Sequence, residues 1–278
     1  TFSGLSISVP IGGTTVIVKA KLTAIGERTT ATNATAGTGA DTGDALAFAL
    51  STVTDEFHAV GGSGTVDPAA DAAASNSYQV IKSIPTFAVA SLPSTVLSSN
   101  NTVIFKFTVT AGANEDVTLA RVTPYITFSD SDGQNELQMT ANTLEVFDMA
   151  AASTALNTAN NALTSTTGAF GINFTTSTAL PTIGKGTTKT FEVRATFAGV
   201  ESNDQVTVKF IQATGALATA ATTVGTGAQA TTGETTEALS RFIWSDNGAD
   251  TDAFTSTEWM NSYLIPNWDT KSLSVSKS

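Results

Sequence analysis

The chain has 278 residues, of which only 13% are charged, with 24 acidic against 13 basic side chains and a formal net charge of −11. Its Lys and Arg residues stand singly, which excludes the basic footprint that nucleic acid or an anionic lipid surface needs. There is no cysteine for a disulfide framework or thiol chemistry, and no run nears the ~20 apolar residues of a membrane helix.

Such a length accommodates one large domain or two smaller ones. Thr, Ala, Ser and Gly take the place of charge, giving a neutral, hydroxyl-rich chain of the kind found among exported proteins. The first residues lack the basic and apolar regions of a signal peptide, and no initiator methionine is present. The expectation is a processed chain, extracellular or on the cell surface after removal of a signal sequence.

Residues 2–25 alternate in the β manner. Leu5, Ile7, Val9 and Ile11 fall two apart, as do Val16, Val18, Ala20 and Leu22, with Pro10 and Gly12-Gly13 between the runs. Residues 26–44 are turn-like, and short apolar pieces follow at Ala45–Val53 and Phe57–Val60. Three units result: a partial N-terminal β-sandwich or donor-strand region over 1–64, a linker over 65–77, and a C-terminal β-sandwich over 78–278. Within the last, strands are expected at 78–89, 102–111, 117–128, 136–147, 169–175, 188–197 and 205–213. Leu156 and Leu163, seven apart, mark 150–167 as the best helix candidate, though its Asn and Thr residues are poor helix formers. A low-complexity Ala/Thr/Gly stretch over 215–236 leads into the tail.

That tail, 241–278, holds all three tryptophans, Trp244, Trp259 and Trp268. Large aromatics bury roughly 150–250 Å² each, so the tail is expected to complete a core otherwise built from small side chains. Leu273 and Val275 should lie in a closing strand. The competing reading is an aromatic platform for carbohydrate. The spacing of the strands gives the fold class: all-β, an Ig-like antiparallel β-sandwich with a smaller, incomplete N-terminal β unit.

Thr15–Ala24 (T-V-I-V-K-A-K-L-T-A) and Thr102–Ala111 (T-V-I-F-K-F-T-V-T-A) are identical at six of ten positions. The second copy is followed by enough chain for a full sandwich, whereas the first has room for about four strands, short of the roughly seven of a closed one. Val80-Ile-Lys-Ser-Ile-Pro-Thr, Phe105-Lys-Phe-Thr-Val-Thr-Ala, Phe242-Ile-Trp-Ser-Asp, Glu258-Trp-Met-Asn-Ser-Tyr and Ser272-Leu-Ser-Val-Ser-Lys resemble the C-terminal sandwich of large secreted bacterial surface proteins with tandem Ig-like repeats. The resemblance covers about residues 45–278 and implies a structural role at the cell surface, with no enzyme activity.

Catalysis has little support in the residues. His58 is the sole histidine and sits in an apolar Phe-His-Ala-Val run, without the G-x-S-x-G elbow of a serine hydrolase. Calcium has more. Asp130, Asp132, Asn135 and Glu136 surround Gly133, and Asp246, Asp250 and Asp252 follow the same dense oxygen pattern around Gly248. Calcium takes six to eight such oxygens, and the alternative is a pair of ordinary Asp/Asn/Gly turns. Asn33, Asn100 and Asn173 head N-x-S/T sequons.

Two functions follow from the sequence. One is a structural subunit of an extracellular filament or surface layer, its partners being copies of itself joined head-to-tail by β-strand complementation. Phe2, Leu5, Ile7 and Val9 are then the donor strand. The other is a monomeric adhesin or carbohydrate-binding module using the tail aromatics. No nucleic acid, membrane insertion or cofactor other than calcium is expected.

Overall fold

The computed structural model describes residues 42–48, 59–61, 64–66, 76–159, 161–174, 180–216, 241–248 and 258–278, with Ser8, Pro10, Ile17, Lys19 and Ile25. Among them no helix is long and apolar enough to cross a membrane. The protein is all-β, its strands running antiparallel within several sheets.

The first strands are short: β1 (Ala45–Leu46), β2 (Ala59–Gly61), β3 (Gly64–Val66), β4 (Tyr78–Gln79) and β5 (Thr86–Val89). The longest, β6 (Thr102–Thr110), follows, then β7 (Val117–Val122), β8 (Pro124–Ser129), β9 (Gln138–Met139) and β10 (Glu145–Asp148). After a 3₁₀ turn come β11 (Gly168–Ala169), β12 (Ile172–Asn173), β13 (Thr182–Ile183), β14 (Thr188–Ala195), β15 (Phe197–Ala198) and β16 (Gln205–Phe210). The tail supplies β17 (Ile243–Ser245) and β18 (Leu273–Ser276).

One layer has the order β10-β14-β6-β5. Its period-two pattern turns Phe105, Phe107 and Val109 of β6 inward and leaves Lys106, Thr108 and Thr110 outside. A bulge breaks that phase, because Val103 pairs with Arg194 and Phe105 with Val193, leaving Ile104 as the extra residue. Ile104 and Phe105 are consequently both fully buried.

The opposite layer is organised on β7 and β8, which run on from each other through Thr123. Pro124 cannot donate to a ladder, and the strand changes partners there. β8 pairs with β11 and β16, while β7 pairs with β12, β13 and β17. β16 in turn pairs with β18. Every residue of β7 is buried, since both faces of this strand are covered. Val117, Leu119 and Val122 enter the main core, and Ala120 packs with Ile243 and Trp259 in a second, smaller cluster.

Aromatic rings join the layers. Phe105 meets Phe210 at 4.9 Å between centroids, Phe107 meets Phe210 at 5.2 Å, and Phe87 stacks on Trp268. Trp244, Trp259 and Trp268 are all buried, and Leu273 and Val275 lie in β18, as the size of these side chains requires.

Three of the outer strands, β5, β10 and β18, are shielded, the usual remedy for edges that would otherwise pair with another chain. Leu156 N–H donates to Val146 O beside β10, and the Asn157 side chain both accepts from Val146 N–H and donates to Leu144 O. Val89 N–H of β5 donates to the Asp269 carboxylate at 2.9 Å. Beside β18, Leu97 N–H donates to Ser276 O and Ser276 N–H to Thr95 O, a short parallel contact.

The helix expected over 150–167 does not form. Only Met149–Ala151 makes a 3₁₀ turn, capped by the Asp148 carboxylate. The Asn157 side chain binds the backbone of Val146 in β10 and the Asn161 side chain that of Thr140 and Leu144 in the preceding turn, which holds this stretch in an irregular path. Residues before the expected 65–77 boundary also touch the sandwich. β1 pairs with β4, and Thr42 N–H donates to Gly248 O of the tail.

Candidate metal site

The acidic loop 130–137 joins β8 to β9 at one end of the sandwich. Gly133 and Asn135 both hold positive φ, 77° and 62°, conformations that Gly and Asn adopt most readily. The Asp130 carboxylate folds the loop around itself. Its Oδ1 accepts from Asp132 N–H (3.3 Å) and Gly133 N–H (3.1 Å), and its Oδ2 accepts from Leu137 N–H (3.1 Å). Asp132 Oδ1 accepts from Gln134 N–H in turn.

This path brings together three of the four ligands expected from the first acidic motif. One oxygen each from Asp130, Asp132 and Glu136 lies within 4.8 Å of the others. Two oxygens bound to one calcium at about 2.3–2.6 Å are at most about 5 Å apart, so the spacing suits that ion. Asn135 bends the loop at positive φ, and its backbone oxygen is engaged by Gln138 Nε2 at 3.4 Å.

The electrostatics of the loop are divided. The Leu137 N–H, aided by those of Gly133 and Asp132, holds Asp130 below the usual carboxylate range. Glu136 is pushed up, first by partial loss of water and then by repulsion from Asp132, Glu201, Asp130 and Asp204. A divalent cation would remove that repulsion.

Two of those acids, Glu201 and Asp204, were missed in the sequence because they lie some 70 residues further on. Asp204 is buried, and its Oδ1 accepts from Ser131 N–H at 2.9 Å while Oδ2 accepts from Glu201 N–H at 2.7 Å. It thereby ties loop 199–204 to the acidic loop. In the sequence, Glu201-Ser-Asn-Asp204 reads only as a turn.

Of the second motif only Asp246 is among the described residues, and it does not belong to this cluster. The carboxylate of Asp246 is buried and takes four hydrogen bonds from protein donors. Asp250 and Asp252 lie outside the described residues, as do His58, Asn33 and the expected donor residues Phe2, Leu5, Ile7 and Val9.

The two described sequons differ. Asn100 is exposed at a turn, where Thr102 Oγ1 donates to Asn100 O. Asn173 is buried in β12, in register with Arg121, where a glycan has no room. Of the described tail aromatics only Tyr263 is substantially exposed, at 51%. No known protein-family model matches the chain, and no curated protein shows significant similarity to it.

Proposed function

We propose that the chain is a non-enzymatic structural subunit of an extracellular filament or surface layer, assembled head-to-tail from copies of itself by β-strand complementation. The observation that carries this reading is the self-sufficiency of the sandwich. Among the described residues, the strands of its three large sheets all come from Thr86 onward, and β5, β10 and β18 are each shielded by the chain's own residues. The alternating apolar run Phe2, Leu5, Ile7 and Val9, outside the described residues, is the donor strand in this reading. Burial against a neighbouring copy satisfies it, and a heterologous contact of that kind generates an open fibre.

The order β5-β6-β14-β10 corresponds to the A-B-E-D sheet of an immunoglobulin-like sandwich. The departure is that β10 precedes β11–β13 in the chain. That order supports kinship with the tandem-repeat surface proteins the tail motif resembles. In this reading Asp130, Asp132 and Glu136 hold a calcium ion that stiffens the end of the subunit. Burial of all three tryptophans weighs against the carbohydrate platform, because stacking on a sugar needs an open ring face.

Electron microscopy and light scattering on the full chain, compared with a variant lacking residues 1–10, test the assembly. Filaments from the full chain and monomers from the deletion are expected. Regular filaments from the truncated protein would remove Phe2–Val9 as the donor.

A further inference from the structure

The chain has three methionines and no cysteine, so its oxidisable sulfur is confined to Met139, Met149 and Met260. Met139 is wholly buried and Met260 is 2% exposed, both in the main core. Met149 is half-buried and reaches the surface. Oxidation follows exposure, and a sulfur sealed in a core reacts only when the structure around it opens.

Met149 begins the 3₁₀ turn Met149–Ala151, which the Asp148 carboxylate holds. Asp148 Oδ1 accepts from Ala150 N–H at 3.0 Å, and its Oδ2 accepts from Lys189 Nζ at 2.8 Å, which fixes the turn to β14. The same strand sends Arg194 to the methionine, with Nη2 4.0 Å from Met149 Sδ. The guanidinium is itself held in place. Nη2 and Nε donate to Glu192 Oε2 at 2.8 Å and 3.2 Å, and Cζ lies 4.3 Å from the centre of the Phe147 ring.

A thioether is a weak acceptor for so strong a donor. A sulfoxide is polar and chiral, and an oxygen on the Arg194 side of the sulfur would accept a charge-assisted bond in place of the long contact. In an apolar core the same oxygen would be left unpaired and would disrupt packing. At Met149 its partner already stands in position.

We propose that Met149 is an oxidation site that takes an oxygen atom from hydrogen peroxide, and that Arg194 receives the resulting sulfoxide so that the sandwich survives the reaction. A sulfur lone pair attacks one peroxide oxygen, the S–O bond forms and the O–O bond breaks. The departing hydroxide takes the proton left on the transferred oxygen and leaves as water. Sulfur gives up two electrons and the peroxide gains them. The site is independent of the filament reading, since it needs only one copy of the chain.

The full chain is treated with hydrogen peroxide, and each methionine is followed by peptide mapping with mass spectrometry. Met149 should oxidise at least about tenfold faster than Met139 and Met260, which wait on opening of the core. In Met149→Leu, a swap of similar volume, the fast uptake should vanish. Two sulfoxide reductases, each taking one epimer, then read the geometry. One epimer should predominate in the parent, and the ratio should fall to near even in Arg194→Gln. The oxidised parent should melt at the temperature of the reduced one, whereas oxidised Arg194→Gln should melt below its own reduced form. Oxidation of Met139 or Met260 as fast as Met149 overturns the proposal, as does fast uptake that persists in Met149→Leu. An even epimer ratio or a lowered melting temperature in the oxidised parent also overturns it. If Arg194→Gln does not fold, those two measurements on the parent decide.

Discussion

Phe87 lies face to face on Trp268, with ring centroids 4.1 Å apart and planes 9° from parallel. The pair joins the first strand of one layer to the tail that closes the other, 181 positions later in the chain. Phe242 meets both rings edge-on, at 5.6 Å and 5.3 Å, and Trp268 Nε1 donates to Phe210 O at 3.2 Å. A segment with these contacts is part of the core.

Replacing Trp268 with Ala should therefore cost about 3–5 kcal/mol, the range for deleting a large buried aromatic. Trp268→Phe keeps a ring against Phe87 but leaves Phe210 O without its donor, and should cost about 1–3 kcal/mol. Urea midpoints followed by circular dichroism separate the two. A double-mutant cycle with Phe87→Ala should show coupling of about 0.5–1.5 kcal/mol, as for other aromatic pairs. Equal, near-zero losses for both Trp268 variants would contradict a core role.

Calcium should raise the melting temperature, and excess chelator should reverse the rise, because an ion bound only by the native state stabilises it by mass action. The pH signs of the two key acids oppose each other without the ion. Asp130, held low when folded, contributes stability above its unfolded pKa that is lost as pH falls through its folded value. Glu136, held high, contributes below its unfolded pKa, and that contribution is lost as pH rises through its raised value. Glu136→Gln should accordingly make the calcium-free protein more stable at pH 7 than the parent and abolish the calcium response. A melting curve indifferent to both calcium and chelator would reject the site.

Gly199 holds φ at 62°, and a Cβ there would fall 2.0 Å from Glu136 O. Backbone cannot rotate aside as a side chain can, so Gly199→Ala should displace the acidic loop from loop 199–204. We expect a loss of at least ~2 kcal/mol, from the left-handed conformation and the clash together. The variant should also weaken any calcium response, which differential scanning calorimetry with and without the ion would record.

On the outer face of the β10-β14-β6-β5 layer, Glu192 takes Lys106 at 3.2 Å and Arg194 at 2.8 Å, with Arg194 also over the Phe147 ring at 4.3 Å. The Glu192 side chain is only 4% exposed, so Glu192→Gln leaves two cations facing a neutral group. A loss of about 1–3 kcal/mol is expected, below the full cost of a broken buried pair because both cations reach water. The loss should shrink little at high salt, in contrast to a surface pair.

Local chemistry decided much of this in advance. The run Thr102–Ala111 was enough to place a strand there, and period two puts Phe105, Phe107 and Val109 on one face, although the bulge that also buries Ile104 depends on the pairing with β14. The scarcity of large side chains outside the tail made burial of the three tryptophans a requirement of volume. The close spacing of Asp130, Asp132 and Glu136 around Gly133 made a shared loop foreseeable, since a few residues around a positive-φ glycine cannot separate far.

Other features depended on contacts between distant positions. Asp130 and Asp246 head similar runs of Asp, Asn and Gly, yet one lies at a loop surface and the other is sealed against Lys82 and Ser83. What separates them is which strands flank them, and no local pattern encodes that. Asp204 joins the acidic end only because β8 and β16 pair in register, and the Leu156/Leu163 spacing lost its helix to Asn157 and Asn161 bonding the backbone between Thr140 and Val146. The sequence by itself determined the all-β class, the position of the long strands and the burial of the three tail tryptophans, because these follow from period, volume and hydrophobicity. Only the tertiary structure decided that Asp130 stays near the surface while Asp246 is sealed in, because burial and donor number are set by segments far apart in the chain.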